Sequence, residues 1–246
     1  MTALTKGLGI THPTWDSVRD SIRANMGATI PTQVITLTPE MCARSHSDEK
    51  FRIMIDNADI VVADGIGVVW GEGRLTGKKP EKIPGIELAL WSLEEAYRIS
   101  GKVYLLGSKA EIVKKAAERV AFQYPRLSVS GFHDGYFSPD EEQSIVDEIA
   151  LIEPNLLLVG MGSPLQEEFI SRNLRKMRCG VAIGVGGTFD VLSGSVKRAP
   201  GFFRATGTEW LYRTLSQPGS RLKRLPKLAE FVGIVLRRSG NNSILK

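Results

Sequence analysis

Apolar and polar positions along this chain fall into short runs of two different periods. Gln33–Leu37 (QVITL), Asp59–Ala63 (DIVVA), Lys102–Leu106 (KVYLL), Leu156–Val159 (LLLV) and Gly180–Val185 (GVAIGV) are rich in branched residues, and each ends in a glycine or polar turn. Strands buried on both faces read this way, so these five runs predict a parallel sheet. Between them the pattern turns amphipathic and predicts helices over Pro39–Asn57, Glu87–Ile99, Lys109–Gln123, Pro139–Ile152 and Leu165–Met177. Ser108 and Ser138 stand where N-caps are needed, and Pro39 and Pro164 stand near helix starts. Strand–helix alternation implies an open, mainly parallel α/β sheet. Ligands of such sheets bind beyond the C-terminal strand ends, which is where Thr38, Asp64 and the glycine turns fall.

After about Gly201 the strands stop and the text becomes basic and aromatic, with Phe202, Phe203, Trp210 and Tyr212. This divides the chain into a core over residues 1–200 and an appendage over residues 201–246. Gln217-Pro218-Gly219-Ser220 is a break, and Pro226 sits at a helix start. Leu225, Leu228, Phe231, Val232, Val235 and Leu236 then form a broad apolar stripe flanked by Lys and Arg. Such a stripe suits either a membrane interface or an ordinary packed terminal helix.

Charge sharpens this division. The chain carries a formal net charge of +5, yet residues 190–246 hold 11 Lys/Arg against 3 Asp/Glu. The body is therefore close to neutral and the tail basic, which calls for an anionic partner: phosphate, nucleic acid or an anionic bilayer. At 246 residues with 42% apolar composition the chain can bury a core without staples. Cys42 and Cys179 lie far apart, as expected in a reducing compartment. The N-terminus has no cationic start leading into an apolar run, so no signal peptide is expected. No stretch reaches the ~18 continuous apolar residues of a spanning helix.

The densest chemistry lies in GVGGTFDVLSGSVKRAPGFFRATGTEWLYR, from Gly184 to Arg213. A glycine turn containing Gly186 and Gly187 runs into a basic segment, and backbone N–H groups beside guanidiniums suit a diphosphate. Two further strand-to-helix turns, at Gly107-Ser108-Lys109 and at Gly160–Glu167 (GMGSPLQE), repeat the theme. Free N–H groups at Gly162 would suit an anion, and Gln166 could hydrogen-bond a sugar or base. Leu165 stands where a dinucleotide fingerprint needs its third glycine, which disfavours a nicotinamide cofactor. Asp64, between an apolar strand and Gly65-Ile66-Gly67, is a candidate proton acceptor or else a helix cap. No Asp-x-Asp lies near a strand end, and His12, His46 and His133 make no metal cluster with the cysteines. No nucleic-acid motif is present, although a nucleotide- or RNA-binding module without catalysis remains the rival from another class.

VVADGIGVVW, VGMGSPLQEEFI and GVGGTFDVLSGSVKRAP followed by TEWLYR resemble the WecG/TagA/CpsF glycosyltransferases over about Gln33 to Arg224. The resemblance implies a Rossmann-like α/β core, with helices on both faces, and a basic C-terminal helical appendage. It implies inverting transfer of a sugar from a UDP-sugar donor to a polyprenyl-diphosphate-linked acceptor at the inner face of the cytoplasmic membrane. N-acetylmannosamine or its uronic acid is the sugar expected, going to the 4-hydroxyl of N-acetylglucosamine; UDP-glucose in exopolysaccharide assembly is the alternative. Neither metal nor cofactor is expected. By motif, Asp64 matches the family's proposed base, and Thr36 and Gln166 match pocket residues. Thr38 stands where members often have Asn, and Lys82 where they usually have Arg. Arg213, Arg221 and Arg224 match appendage residues thought to close over the diphosphate. An apolar patch could form if the appendage moves, and a homo-oligomer would cover it; the sequence does not give the oligomeric state.

Overall fold

The computed structural model describes residues 7–28, 30–201, 203 and 225–243. Six strands form one sheet: β1 (Thr32–Leu37), β2 (Ile60–Ala63), β3 (Lys102–Gly107), β4 (Ser128–His133), β5 (Leu156–Gly160) and β6 (Val181–Gly184). Their order is β2-β1-β6-β5-β3-β4, and every pairing is parallel. Period-two alternation sorts the strand residues onto two faces. Val34, Val62, Val103, Leu105, Leu158 and Ile183 enter one buried cluster. Ile35, Leu37, Val61 and Ala63 enter a second, and Tyr104, Leu106, Leu157 and Val159 a third, both on the opposite face.

The helices cover both faces, as an all-parallel sheet requires. On the first face lie α1 (Trp15–Met26), α5 (Gly85–Arg98), α6 (Ala110–Gln123) and the short α9 (Thr188–Leu192). The other face carries α2 (Pro39–Ser47), α3 (Glu49–Asp56), α4 (Ile66–Thr76), α7 (Pro139–Ile152), α8 (Leu165–Met177) and the C-terminal α10 (Leu225–Ser243). β1 and β6 are neighbours, yet β1 leads to α2 on one face and β6 to α9 on the other. The chain therefore parts between their C-terminal ends and opens the crevice in which ligands of such sheets lie.

Two expectations need correction, and two elements went unread in the sequence. The helix expected over Pro39–Asn57 is two helices, because Asp48 ends one and caps the next. Its N–H donates to Arg44 O at 2.8 Å, and its Oδ1 accepts from Phe51 N at 3.0 Å. An aspartate can offer the backbone this alternative to continuing the helix. Ser108 is not the cap of α6; it takes a φ of 61°, and Lys109 occupies the cap position without a side-chain bond. β4 lies at the sheet edge and is only partly buried. Its serines give it a half-polar pattern that hid it in the sequence. α1 was also missed, although Thr14 and Ser17 cap it reciprocally.

α10 packs on the core. Phe231, Ile234 and Val235 are buried with Met41, Val68 and Val69, and Phe231 meets Trp70 edge-on at 6.4 Å. Gly67 and Gly71 of α4 admit that ring, since a Cβ on Gly71 would stand 2.7 Å from Phe231 Cζ. Leu225, Val232 and Leu236, on the same helix, stay exposed.

Candidate active site

The site assembles at the β1–β6 parting. Asp64 directly follows β2 and extends its ladder, its N–H donating to Leu37 O at 2.9 Å. The carboxylate is half-buried, and its Oδ2 accepts from the N–H of Gly85, at the start of α5, at 3.2 Å. Thr36 is 8% exposed, and its hydroxyl lies 3.4 Å from Gly184 O across the parting. Gly85 joins the two: a Cβ there would stand 3.0 Å from Thr36 Oγ1 and 3.3 Å from Asp64 Oδ2. Thr36 and Asp64, more than two dozen positions apart in sequence, thus converge on one backbone position.

Lys82 comes in on a segment pinned beside β2 by the Ile83 N–H to Ala63 O bond of 2.8 Å, and it is half-buried. Thr38 is engaged as the cap of α2, its Oγ1 accepting from Met41 N at 3.3 Å. Arg213, Arg221 and Arg224 lie outside the described residues.

The glycine turns follow along the row of strand ends, after β6, then β5, then β3. Gly107, with a φ of 128°, ends β3 against β5 so closely that a Cβ would come within 2.5 Å of the Gly160 carbonyl. Only glycine fits there. The loop after β4 closes over the same place, with Gly135 N donating to Ser108 O at 2.9 Å. It presents Tyr136 at 77% exposure, a flat aromatic surface beside the turns that the sequence reading did not single out.

Gln166 has a different position from the one expected. It is 5% exposed, and its Oε1 accepts from Gly162 N at 3.2 Å and from Gly186 N at 2.9 Å. The N–H groups expected to be free for an anion at these two glycines are therefore taken by a side chain. Gln166 staples the turns after β5 and β6 together. Gly187 follows at the start of α9, with Asp190 Oδ2 3.3 Å from where its Cβ would lie.

Arg198, in the Lys-Arg-Ala-Pro run read as basic diphosphate chemistry, instead donates to Glu87 Oε1 of α5 at 2.8 Å. It braces the segment after α9 against the helix that holds Asp64. Among the described residues, no three His, Cys, Asp or Glu side chains gather as metal ligands.

An all-parallel α/β sheet thus brings a carboxylate, a hydroxyl and stapled glycine turns to its switch point, where open sheets of this class bind their ligands. The model of the glycosyl transferase WecG/TagA/CpsF family matches residues 4–243, and the chain belongs to that family. A relative from Bacillus spizizenii (strain ATCC 23059 / NRRL B-14472 / W23) is 33% identical over 205 residues, covering 83% of this chain and 78% of its own length. One from Staphylococcus aureus (strain MW2) is 37% identical over 195 residues, covering 78% of this chain and 76% of its own. Both are named N-acetylglucosaminyldiphosphoundecaprenol N-acetyl-beta-D-mannosaminyltransferase.

Proposed function

We propose that this chain transfers N-acetylmannosamine from its UDP derivative to the 4-hydroxyl of N-acetylglucosamine carried on undecaprenyl diphosphate. The observation that carries this reading is the convergence of Asp64 and Thr36 on Gly85 at the parting of β1 and β6. The names of the two relatives supply the sugar and the acceptor.

In this reading the donor lies across the strand ends, with its base against Tyr136 and its diphosphate towards the β1–β6 parting. The Asp64 carboxylate takes the proton from the acceptor hydroxyl as that oxygen bonds to the anomeric carbon. The bond from that carbon to the β-phosphate oxygen breaks in line, UDP leaves with the electron pair, and the configuration inverts. The Gly85 N–H aims Asp64, while Thr36 borders the reacting sugar. Lys82 and the arginines of the basic segment, Arg213, Arg221 and Arg224, balance the charge growing on UDP. No resident metal or cofactor takes part in this scheme.

The acceptor's lipid places the reaction at a bilayer surface. No helix among the described residues is long and apolar enough to cross a membrane. The exposed Leu225, Val232 and Leu236 of α10, flanked by Lys227 and Arg237, suit docking on an anionic leaflet.

The test is UDP release across a panel of UDP-sugars with a diphospholipid-linked N-acetylglucosamine acceptor. UDP-N-acetylmannosamine is expected to be preferred. Preference for UDP-glucose would replace the donor, and salt-sensitive RNA binding without UDP affinity would replace the class. Asp64→Asn is expected to bind UDP normally and to lose about 10²–10⁴-fold in kcat.

A further inference from the structure

Next to Gln166 on the first turn of α8 stands Glu167, a carboxyl group that the transfer scheme leaves unused. Glu167 is 2% exposed. Its Oε1 accepts from Gln166 Nε2 at 2.6 Å. Its Oε2 has no hydrogen-bond partner. Burial pushes the carboxyl up from its ordinary range. A buried acid held in this way is costly, so its position demands a physical reason.

The reason lies in the symmetry of an amide. A glutamine can sit either way round in nearly the same volume. In one orientation Oε1 of Gln166 meets the two glycine N–H groups, as found here. In the other, an NH₂ group would face two N–H donors, and both turns would lose their acceptor. The two glycine N–H groups favour the first state, and a second buried acceptor facing Nε2, Glu167 Oε1, widens the gap between the two. Gly184, at the end of β6, has room for this pair only because it lacks a side chain: a Cβ there would lie 2.7 Å from Gln166 Nε2 and 3.1 Å from Glu167 Oε1.

We propose that Glu167 is a positioning residue for the transfer: together with the two glycine N–H groups its carboxyl locks the Gln166 amide in one orientation, and that amide clamps the turns after β5 and β6 beside the donor's nucleotide. The proposal rests on the reading of those turns as the donor site. Glu167 touches no substrate; it acts through Gln166 alone.

The experiment compares wild type, Glu167→Met and Glu167→Gln in donor KM, kcat, UDP affinity and melting temperature. Methionine keeps the volume and removes the acceptor, and loss of one buried acceptor is expected to raise donor KM and UDP Kd about tenfold while kcat changes little. Glutamine restores a carbonyl oxygen facing Gln166 and is expected to recover most of that loss. If Glu167→Met does not fold, Glu167→Asp takes its place, with the acceptor drawn back by one methylene. A variant that melts earlier at unchanged donor KM would reduce Glu167 to a packing residue and overturn the proposal. Glutamine as impaired as methionine would overturn it as well, because the acceptor would then not be what matters. Amide exchange at Gly162 and Gly186 reads the clamp without any ligand, and is expected to be faster in Glu167→Met than in Glu167→Gln. Equal protection in the two would sink the clamp, whereas failure of wild type to bind UDP would count against the donor site instead.

Discussion

Arg198 donates through Nη2 to Glu87 Oε1 at 2.8 Å, joining the segment after α9 to the first turn of α5. Gly85, two residues before Glu87, gives its N–H to Asp64. The ion pair is thus two residues from the backbone group that aims the proposed base. The two side chains are 29% and 36% exposed, so solvent screens the pair, and about 1 kcal/mol is its expected worth. Arg198→Met and Glu87→Gln should each lower kcat severalfold, and the double variant should be no worse than the poorer single one. A double-mutant cycle on kcat and stability measures this. If Arg198 served the diphosphate directly, Glu87→Gln would leave the donor KM and kcat as they are.

Gly85 supports a sharper prediction. Alanine is the better helix former, by up to about 1 kcal/mol, so Gly85→Ala should leave the melting temperature level or raised. Its methyl, however, would enter at 3.0 Å from Thr36 Oγ1 and 3.3 Å from Asp64 Oδ2. Displacing the base by a few tenths of an ångström should cut kcat at least about tenfold, since misplacement of this order is costly in catalysis. Calorimetry and steady-state kinetics on one preparation check both halves.

How far the sequence carried this picture can be judged element by element. The five buried strands were legible because burial on both faces favours unbroken apolar, branched runs, and Ile60–Ala63 and Leu156–Gly160 show that pattern throughout. β4 was not, because its half-exposed edge position admits Ser128 and Ser130 and needs no long apolar run. The position of Asp64 at a strand end was legible from the apolar run before it and the glycine after it. The role of Gln166 was not, because a polar residue in the first turn of a helix looks the same whether it faces a ligand or a neighbouring turn. Only the distances to Gly162 and Gly186 show that it spends its carbonyl on the protein itself. Arg198 misled in the same manner: a basic run fixes charge, and the partner of that charge, Glu87, is 111 positions away.

α7 and α8 are pinned by Glu142, which takes Arg172 Nη2 at 2.7 Å and Asn173 Nδ2 at 2.8 Å. Burial works to raise this carboxyl, but the bonds from Arg172 and Asn173 outweigh it and hold the group below the ordinary range. A depressed folded value means that the contribution is fully present above the ordinary carboxylate value and is lost as pH falls through the lower one. Wild type should therefore lose stability below about pH 4 more steeply than Glu142→Gln, which has no such proton to take up. Melting temperatures from pH 7 down to pH 3 would show it. Parallel acid limbs for the two proteins would mean that other carboxylates govern the acid transition.

The last prediction concerns how the basic segment is held. α10 follows that segment in the chain, and α4 begins two residues after Asp64. The two helices are joined by Phe231, which is 1% exposed and lies against Gly67, Gly71 and Trp70. Removing the ring leaves a cavity lined by groups that cannot close on it, which costs about 3–5 kcal/mol. Arg238 adds a second tie, donating to Gly7 O at 3.2 Å, while Glu72 of α4 accepts from Leu8 N at 2.6 Å. Because α10 takes no part in the strand pairings that hold the sheet, the cost of Phe231→Ala should fall first on α10. Hydrogen exchange should then show α10 opening well below the global transition while the strands stay protected. Turnover should fall with the docked fraction of α10, and UDP affinity at the strand ends should be held better than turnover. If exchange instead rises uniformly across the sheet, α10 is an integral part of the core and the segment before it has no separate anchor.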